Sequence, residues 1–499
     1  MAILPRETNI MYYSAELMNK LIKYSIQLLC VTILSTAHSQ QSITPNGTEL
    51  KGKVSISDNN ATPSSSAILD IQSTTKGVRL PVMTSAQRKA IANPTRGLTV
   101  FDSDYLTLFL YDGYNWYPLA KTNTQYLPAV SRTPSGLSNA ANFGSSVSIE
   151  GEIIVAGAPN HHNSRGEVFV YERTGGVWNL KTQIIANDLQ TNDLFGSTVL
   201  IKNNFIIVSA KGSNSNRGAV YIFEKSGNTW LQKQKITASD AQNDDYFGHS
   251  IAFNSTNNLL AVSAVGKNSS QGSVYTYNFS NNQWNQNAIL NASNGGANHQ
   301  FGFSISLENS YLVIGAPFQN SSKGEVYIFQ QNFNGLWSET IKLGDIYTKE
   351  GDRFGYSVSV SGNTIAVSSP GDSPQKYGII KFYMKSFDGN WYAGGETLNG
   401  KVNDGNFGSS IHLSGNYLIV AAETEDVNGV TDKGSAYVYF KSSRYSSFEH
   451  WEILRKIYAN DSSSETLFGK SVSINNGSYV IGQPLRNNAK GEVFMGKIE

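Results

Sequence analysis

A Phe-Gly dipeptide recurs seven times along this chain, and this recurrence limits the possible folds more than any other feature. The copies begin at Phe143, Phe195, Phe247, Phe301, Phe354, Phe407 and Phe468. Neighbouring copies are 52 to 61 residues apart. A repeat of about 50 residues made of short strands and polar turns cannot bury its own apolar faces. The copies must therefore stack side by side or around a ring.

Within each copy, four segments predict four β-strands. The first copy has FGSSVSI from Phe143, EIIVAGAP from Glu152, GEVFVYER from Gly166 and WNLKTQIIA from Trp178. Short apolar runs and alternation, bounded by Gly, Asn and Ser, are typical of strands that lie between neighbouring sheets, and helical periodicity is absent. Later copies keep this order, except that the last one reaches Glu499 without a fourth segment.

A missing fourth strand would leave the last sheet with an exposed edge, which invites aggregation. The stretch TQYLPAVSR at 124–132 resembles the fourth segments elsewhere, such as QKITA at 234–238. We therefore expect it to complete the last sheet and close a ring. The sequence predicts an all-β fold, with a seven-bladed β-propeller over residues 123–499 and a small mixed N-terminal module over residues 45–122.

The Phe-Gly copies resemble the FG-GAP repeat of integrin α-subunit propellers and of related secreted bacterial proteins. Gly157-Ala158-Pro159 and the same tripeptide at 315–317 complete the resemblance. In other copies this element drifts to Ser-Ala-Lys at 209–211, Ser-Ser-Pro at 368–370, Ala-Ala-Glu at 421–423 and Gly-Gln-Pro at 482–484. The resemblance covers all seven copies and implies a propeller.

Many members of that family carry an Asp-x-Asp-x-Asp-Gly calcium loop between the first two strands, and this chain departs from that pattern. The corresponding turns are Glu150-Gly151, 203–204, 309–310 and 361–363, which offer at most one carboxylate each. Calcium takes six to eight oxygen ligands. The resemblance is therefore to the branch without calcium loops, and we expect no metal and no cofactor, with calcium possible only outside integrin-type loops.

Residues 1–39 predict an upstream extension and a secretory signal peptide. Two lysines precede an apolar run of about a dozen residues, and Ala37-His38-Ser39 has the small-x-small pattern of a cleavage site. We expect translation to start at Met18, cleavage near Ser39, and no transmembrane span in the mature chain. The protein is then secreted, or lies in the periplasm or at the outer surface of a Gram-negative bacterium.

The module at 45–122 has strand-like segments such as AILDIQS and GVRLPVM, and a capping box at Thr84 to Gln87 that predicts a short helix ending at Asn93-Pro94. It resembles a segment near the N terminus of many secreted bacterial surface and fibre-like proteins. That resemblance implies display or attachment. A simple spacer is the alternative.

The loops of one face are the predicted binding region. With four antiparallel strands A to D, the B-to-C and D-to-next-A connections lie at the same end, and these are the long ones. The candidate ligand-binding residues there are Asp188, Asp193, Asp240, Asp244, Asp245, Asp352, Asp404, His161 and His162. The alternative is that each Asp satisfies backbone amides in a turn and that the His pair belongs to a solvated loop rather than a metal site.

Composition and motifs narrow the function classes. Lys and Arg number 39 against 38 for Asp and Glu, so no nucleic-acid footprint is expected. No nucleophile elbow, zinc motif or phosphate loop occurs in the sequence. We expect a non-enzymatic binding or adhesion protein whose partner is a protein or glycan at a surface. The alternatives are a propeller-fold glycosidase or lyase and a structural subunit of an envelope assembly.

Overall fold

The computed structural model describes residues 78–103, 107–111, 113, 116–118, 129–344, 348–371, 377–401, 405–442, 450–459 and 464–498, and the backbone of four earlier strands. Those strands pair as Gln41–Thr44 with Gly47–Leu50, antiparallel, and Val54–Ser57 with Leu69–Gln72, parallel. The chain divides into two compact units at residues 81 and 82, within the predicted module at 45–122. The predicted signal segment at 1–39 lies outside the described residues.

A small sheet with one helix opens the second unit. Its strands, in order of pairing, are Val82–Met83, Thr99–Asp102, Thr107–Tyr111 and Trp116–Pro118. The helix Ser85–Lys89 begins at the predicted capping box, where Thr84 and Gln87 exchange hydrogen bonds, but it ends before the predicted Asn-Pro stop. Arg88, a residue of this helix, is buried, and its Nε lies 2.7 Å from a carboxylate oxygen of Asp102.

Among the described residues, seven sheets with four strand positions follow one another, and all their strand pairs are antiparallel. We call the strands A to D in order of pairing. Sheets 1 to 4 are Val147–Glu150, Ile153–Ala158, Glu167–Thr174, Val177–Ile184; Phe195–Lys202, Phe205–Ala210, Ala219–Ser226, Thr229–Ile236; Phe247–Asn254, Leu259–Ala264, Ser273–Ser280, Gln283–Leu290; and Ser304–Glu308, Tyr311–Ala316, Glu325–Gln331, Trp337–Leu343.

Sheets 5 to 7 follow the same plan with two variations. Their strands are Val358–Ser361, Thr364–Ser369, Ile379–Lys385, Trp391–Ala393 with Leu398–Asn399; Phe407–Ser414, Tyr417–Ala422, Ser435–Ser442, His450–Ile457; and Ser471–Asn475, Ser478–Gln483, Glu492–Lys497, Val130–Arg132. Strand D of sheet 5 is interrupted and consists of two pieces, both of which pair with strand C. Strand D of sheet 7 comes from the chain before sheet 1.

The sheets are arranged in a closed ring. Strand A of each sheet contacts strand A of the next, and strand A of sheet 7 contacts that of sheet 1. This is the arrangement of a β-propeller, with the A strands around the axis and the D strands outside. The prediction of an all-β fold is confirmed.

The ring closes where the sequence predicted it. Arg132 lies opposite Val493, and Val130 lies opposite Met495, in an antiparallel pair. The hydroxyl of Thr133 adds a hydrogen bond of 3.2 Å to the carbonyl of Gly491. Residues 124–128 of the predicted strand lie outside the described residues. The prediction is confirmed for 130–132, which remove the exposed edge of sheet 7.

The core is divided among the interfaces between neighbouring sheets, and each interface contains one Phe of a Phe-Gly pair. These seven Phe side chains are at most 2% exposed. Phe301, for example, contacts Tyr327 of its own sheet edge to face, with ring centroids 5.2 Å apart. The repeated aromatic residue therefore binds one sheet to the next.

The glycines of the repeat permit the close approach of neighbouring sheets. Gly166, just before strand C of sheet 1, has φ +86°, and a Cβ there would lie 1.9 Å from the carbonyl oxygen of Phe195 in sheet 2. In the Gly-Ala-Pro element, a Cβ on Gly157 would lie 2.0 Å from the oxygen of Gly196. Only glycine fits at either position without a backbone shift.

Among the helices of the described residues, none has both the length and the apolar character needed to cross a membrane.

Candidate functional site

The B-to-C loops form a common structure at the Phe-Gly end of the ring. We call this end, with the adjoining D-to-A loops, the loop face. In sheet 1 the loop residues His162, Asn163 and Ser164 have φ of 54°, 58° and 62° in succession, a single left-handed turn. Sheets 2, 3, 4 and 7 repeat it. Asn tolerates left-handed backbone better than most residues, which explains why these loops are rich in it.

The left-handed turns hold neighbouring sheets together. The carbonyl of Ser164 accepts a hydrogen bond of 2.8 Å from the amide of Leu194, and that of Arg165 accepts one of 2.9 Å from Phe195. Asn216 and Arg217 make the same two bonds to the start of sheet 3. Because each loop is tied to the next sheet, the loop face is a fixed surface on which side chains can be positioned.

Three of the predicted carboxylates are buried in their own turns. Asp193, Asp245 and Asp352 are at most 5% exposed. Each accepts a hydrogen bond from the backbone amide three residues earlier, as Asp193 does from Gln190 at 2.9 Å and Asp245 from Gln242 at 2.7 Å. Each also stands two residues before a Phe-Gly pair. The structure thus gives these three carboxylates the turn-forming role that the sequence left as the alternative.

Three other carboxylates, Asp188, Asp240 and Asp244, are exposed at the loop face. Asp188 forms an ion pair of 2.5 Å with Lys235. Burial opposes its ionisation, but the hydrogen bond and charge of Lys235 outweigh burial, so the pKa of Asp188 is lowered. Asp244 accepts a hydrogen bond of 2.8 Å from the amide group of Asn216. Asp188 and Asp244 keep oxygen atoms that a ligand could reach.

Asp240 and Asp245 meet at one lysine. The ammonium of Lys267 lies 3.2 Å from a carboxylate oxygen of each, and the lysine is buried. The hydroxyl of Tyr275 donates to Asp240 at 2.6 Å. Burial raises the pKa of Asp240, but the bonds from Tyr275 and Lys267 outweigh it, so that this pKa is lowered overall. This cluster stabilises the loop between sheets 2 and 3. Asp404 lies outside the described residues.

The two predicted histidines meet a carboxylate. Nε2 of His161 lies 3.3 Å, and that of His162 3.6 Å, from Oε2 of Glu167, and the three groups are close enough to share a metal ion. The amide of Ser138 donates to Nδ1 of His161 at 3.2 Å, so in the neutral ring Nε2 carries the hydrogen. Burial, and then the neighbouring His162, lower the pKa of His161, while burial raises that of Glu167. A metal at Nε2 would require the hydrogen to sit on Nδ1, which would break the hydrogen bond from the Ser138 amide. The expectation of no metal stays a prediction.

A channel runs along the ring axis and has a volume of about 960 Å³. Its wall consists of the A strands, whose inner edges have no fifth strand to pair with. Side chains of the preceding sheet satisfy many of these amides instead. Ser146 accepts from Val199 at 3.0 Å, and Ser359 accepts from Leu413 at 2.9 Å. The wall is therefore lined with hydroxyl groups.

One histidine takes a serine position in this wall. Nδ1 of His412 accepts a hydrogen bond of 3.0 Å from the amide of Ile474. Burial, and then the charge of Lys202, lower the pKa of His412 to about 4. The ring is therefore neutral near pH 7 and acts as a hydrogen-bond acceptor between sheets 6 and 7.

The mouth of the channel at the loop face is lined by the residue that follows each Phe-Gly pair. These residues are Ser145, Ser197, His249, Phe303, Tyr356, Ser409 and Lys470. His249, Phe303 and Tyr356, on three successive sheets, form what we call the aromatic arc. Ring centroids are 5.1 Å apart between His249 and Phe303, and 4.8 Å between Phe303 and Tyr356.

Lysines stand at the same mouth. Lys211 lines it from the position that Pro159 occupies in sheet 1, the third residue of the Gly-Ala-Pro element. Lys470 lies 3.3 Å from a carboxylate oxygen of Glu423, the third residue of that element in sheet 6. Burial, and then the charge of Lys470, lower the pKa of Lys211. The mouth thus has two ammonium groups against one carboxylate.

Sequence reasoning did not identify the mouth, although a signal was present. Aligned on Phe-Gly, the next residue is Ser in three copies and His, Phe, Tyr or Lys in the others. The drift of Gly-Ala-Pro to Ser-Ala-Lys and Ala-Ala-Glu is, from sequence alone, a divergence from the family pattern. The structure brings both irregularities to one end of one channel.

Comparison with known families agrees with the repeat structure. The model described as FG-GAP repeat matches residues 178–223, 230–277, 284–329, 337–378 and 399–439. A second model, described as phage tail like trimerisation region, matches residues 56–134. No significant match is found among curated proteins.

Proposed function

Because the chain is an FG-GAP repeat protein, we propose that it is a non-enzymatic binding protein, secreted or held at the cell surface, which takes its ligand at the loop face. The observation that carries this proposal is the mouth of the axial channel. There a fixed frame of hydrogen-bonded loops surrounds a cavity with an aromatic wall and excess positive charge. Concave sites with a few convergent polar groups are typical ligand sites.

The charge distribution supports binding over catalysis. Glycosidases that use paired carboxylates need two acids close together across a substrate bond. Of the carboxylates in the described residues, the one that lies at the mouth of the channel is that of Glu423, and it is paired with Lys470. Asp193, Asp245 and Asp352 are used in turns. A glycosidase or lyase and a structural envelope subunit remain the alternatives that experiment must separate from adhesion.

We also propose that the N-terminal part joins three chains. The match of residues 56–134 to a trimerisation region supports this proposal. Three propellers on one stem would bind a surface with an avidity well above the affinity of each, provided that the stem lets them engage together. Sedimentation equilibrium of the full mature chain and of residues 129–499 tests it. The proposal requires three chains for the first and one for the second, and a monomeric full chain would refute it.

Secretion is tested separately. If residues 1–39 contain a signal peptide, N-terminal sequencing of protein recovered from the periplasm or medium should begin near Gln40. Exported protein that retains residues 1–39 would contradict this proposal.

The binding function is tested on an array of glycans and surface proteins, with and without calcium. A double variant, Asp188→Asn with Asp244→Asn, alters exposed carboxylates of the loop face and avoids the buried Asp245. Asp388→Asn is the matched control, since Asp388 is exposed in a C-to-D turn at the opposite end. We expect the double variant to alter binding, with melting temperatures near wild type for both, because exposed changes usually cost within about 0.5 kcal/mol.

Two results would contradict the proposed function. One is the absence of any partner on the array and on cells. The other is the release of a cleaved product from a bound saccharide, which would favour the enzymatic alternative.

A further inference from the structure

The ligand class of the proposed binding function can be inferred from three features of the channel mouth, and this inference rests on that function. The features are an unpaired ammonium group, an aromatic surface and a set of hydroxyl groups with hydrogen-bonding capacity to spare. Each feature favours a different chemical group of one ligand molecule.

The first feature is Lys211. It is half-buried, and no carboxylate among the described residues forms an ion pair with it. The charged group that acts on its pKa is Lys470, a second cation. A buried ammonium without an anion is unfavourable, and a ligand carboxylate would relieve both the burial cost and the repulsion. Since Glu423 already neutralises Lys470, the mouth has room for one negative charge.

The second feature is the aromatic arc. Phe303 is its centre, in contact with His249, Tyr356 and the ring of Phe318 at 5.5 Å. His249 adds no charge near pH 7, because burial, and then the charge of Lys211, lower its pKa to about 4. The arc therefore offers an uncharged, largely apolar aromatic surface beside the lysine, with neighbouring rings tilted by 45° and 48°. A ring-shaped ligand with an apolar face complements it.

The third feature is the serines of the opposite side. Ser145 and Ser197 each donate to a carbonyl of their own turn at 2.7 Å, which leaves the lone pairs of both oxygens as acceptors. The hydroxyl oxygen of Ser409, at the same position in sheet 6, is buried without a hydrogen-bond partner in the described structure, so it can bond a ligand only after its side chain rotates. These groups suit a ligand with many hydroxyls, and a purely aromatic acid would leave them unsatisfied.

We propose that the mouth binds an acidic saccharide, in which a sugar ring packs against the aromatic arc, its hydroxyls bond the serines and its carboxylate pairs with Lys211. A nucleotide fits less well, because its phosphates bring more negative charge than the mouth can neutralise. The channel and its mouth together have a wall rich in hydroxyls and a volume of about 960 Å³, which is large enough to admit further sugar units.

The test uses a disaccharide that contains glucuronic acid, its methyl ester and a neutral disaccharide of the same size, measured by calorimetry with the mature protein. The acid should bind at least tenfold more tightly than its ester, because a charge-assisted hydrogen bond is lost on esterification. In the Lys211→Gln variant, the affinity for the acid should fall to that for the ester, and the affinity for the ester should not change. The Phe303→Leu variant should bind the acid and the ester more weakly by the same factor.

Lys342→Gln is the matched control, because Lys342 is exposed on outer strand D of sheet 4. It should leave the affinity for all three probes unchanged, and melting curves should show that every variant is folded. Equal affinity for acid and ester, unchanged binding of the acid in Lys211→Gln, or tighter binding of a nucleoside diphosphate would each overturn the inference.

These outcomes are separate from those of the proposed function. If array partners bind through the loop face but the acidic disaccharide does not, the inference fails and the binding function stands. If the disaccharide binds through Lys211 and is then cleaved, the site stands and the non-enzymatic function fails.

Discussion

Phe301 provides the sharpest test of how the ring is held together. Its side chain is fully buried between sheets 3 and 4, edge to face with Tyr327 at 5.2 Å and Phe329 at 6.0 Å. Truncation of a buried Phe to Ala costs about 3–5 kcal/mol. Edge-to-face pairs add about 0.5–1.5 kcal/mol. We therefore expect Phe301→Ala to destabilise the ring by about 4–5 kcal/mol, a large part of the stability of an ordinary domain.

Urea unfolding, followed by fluorescence and circular dichroism, measures this loss, provided that the two signals coincide and the m-value is unchanged. The matched control is Phe333→Ala, the same substitution in the C-to-D turn of sheet 4, where the ring is 97% exposed. The control should lie within about 0.5 kcal/mol of wild type. A loss below about 1 kcal/mol for Phe301→Ala, or an equal loss in the control, would refute the view that the Phe-Gly aromatic binds sheet to sheet.

Three further predictions concern the frame of the ring. Deletion of 130–132 should expose the edge of strand C in sheet 7 and lower the soluble yield, whereas an unchanged melting temperature would show that closure lies elsewhere. Gly166→Ala should lower the melting temperature sharply, because its Cβ would lie 1.9 Å from a backbone oxygen of sheet 2; Gly176→Ala, in an open turn with φ +83° against +86° for Gly166, controls for backbone strain alone. His412 should contribute up to about 3 kcal/mol of stability that is complete above about pH 6.5 and is lost as the pH drops towards 4, since its pKa is about 4 in the folded state and near 6.5 in the unfolded state. His249, whose folded pKa is also about 4, adds to the same acid limb. His412→Asn should therefore remove the His412 part of the acid limb of the stability curve and leave the His249 part.

The all-β fold could be predicted because the features that specify it are local and repeated. A Phe-Gly pair, a Gly before strand C and an alternating apolar pattern occur in every copy, so chance agreement in one copy does not mislead. The closing strand was also predictable at 130–132, since an unpaired edge requires a partner. The early end of the helix Ser85–Lys89 was not, because helix ends depend on packing as well as on Pro.

Which acidic residues of the loop face are exposed and which are buried in turns could not be predicted with the same success. Asp188 and Asp193 lie in one loop and look alike in sequence, yet one is exposed and the other buried. Position relative to Phe-Gly is what separates them, since an Asp two residues before the pair lies where the turn needs an acceptor. Drift from Gly to Ser had a physical reason too. The hydroxyl of Ser209 accepts a hydrogen bond of 2.9 Å from the amide of Thr198 on the adjacent strand A.

The closing pair of strands has a consequence for how the protein reaches its final state. The bond between Thr133 and Gly491 joins residues 358 positions apart. As the chain emerges during synthesis or export, each sheet from the first onward can form from neighbouring segments, but the last one must wait for residues 492–497. Contacts of such long sequence separation form slowly. Until they form, the nascent ring is an open arc with two unprotected ends, and this is the interval in which a chaperone or a second chain has its opportunity to bind.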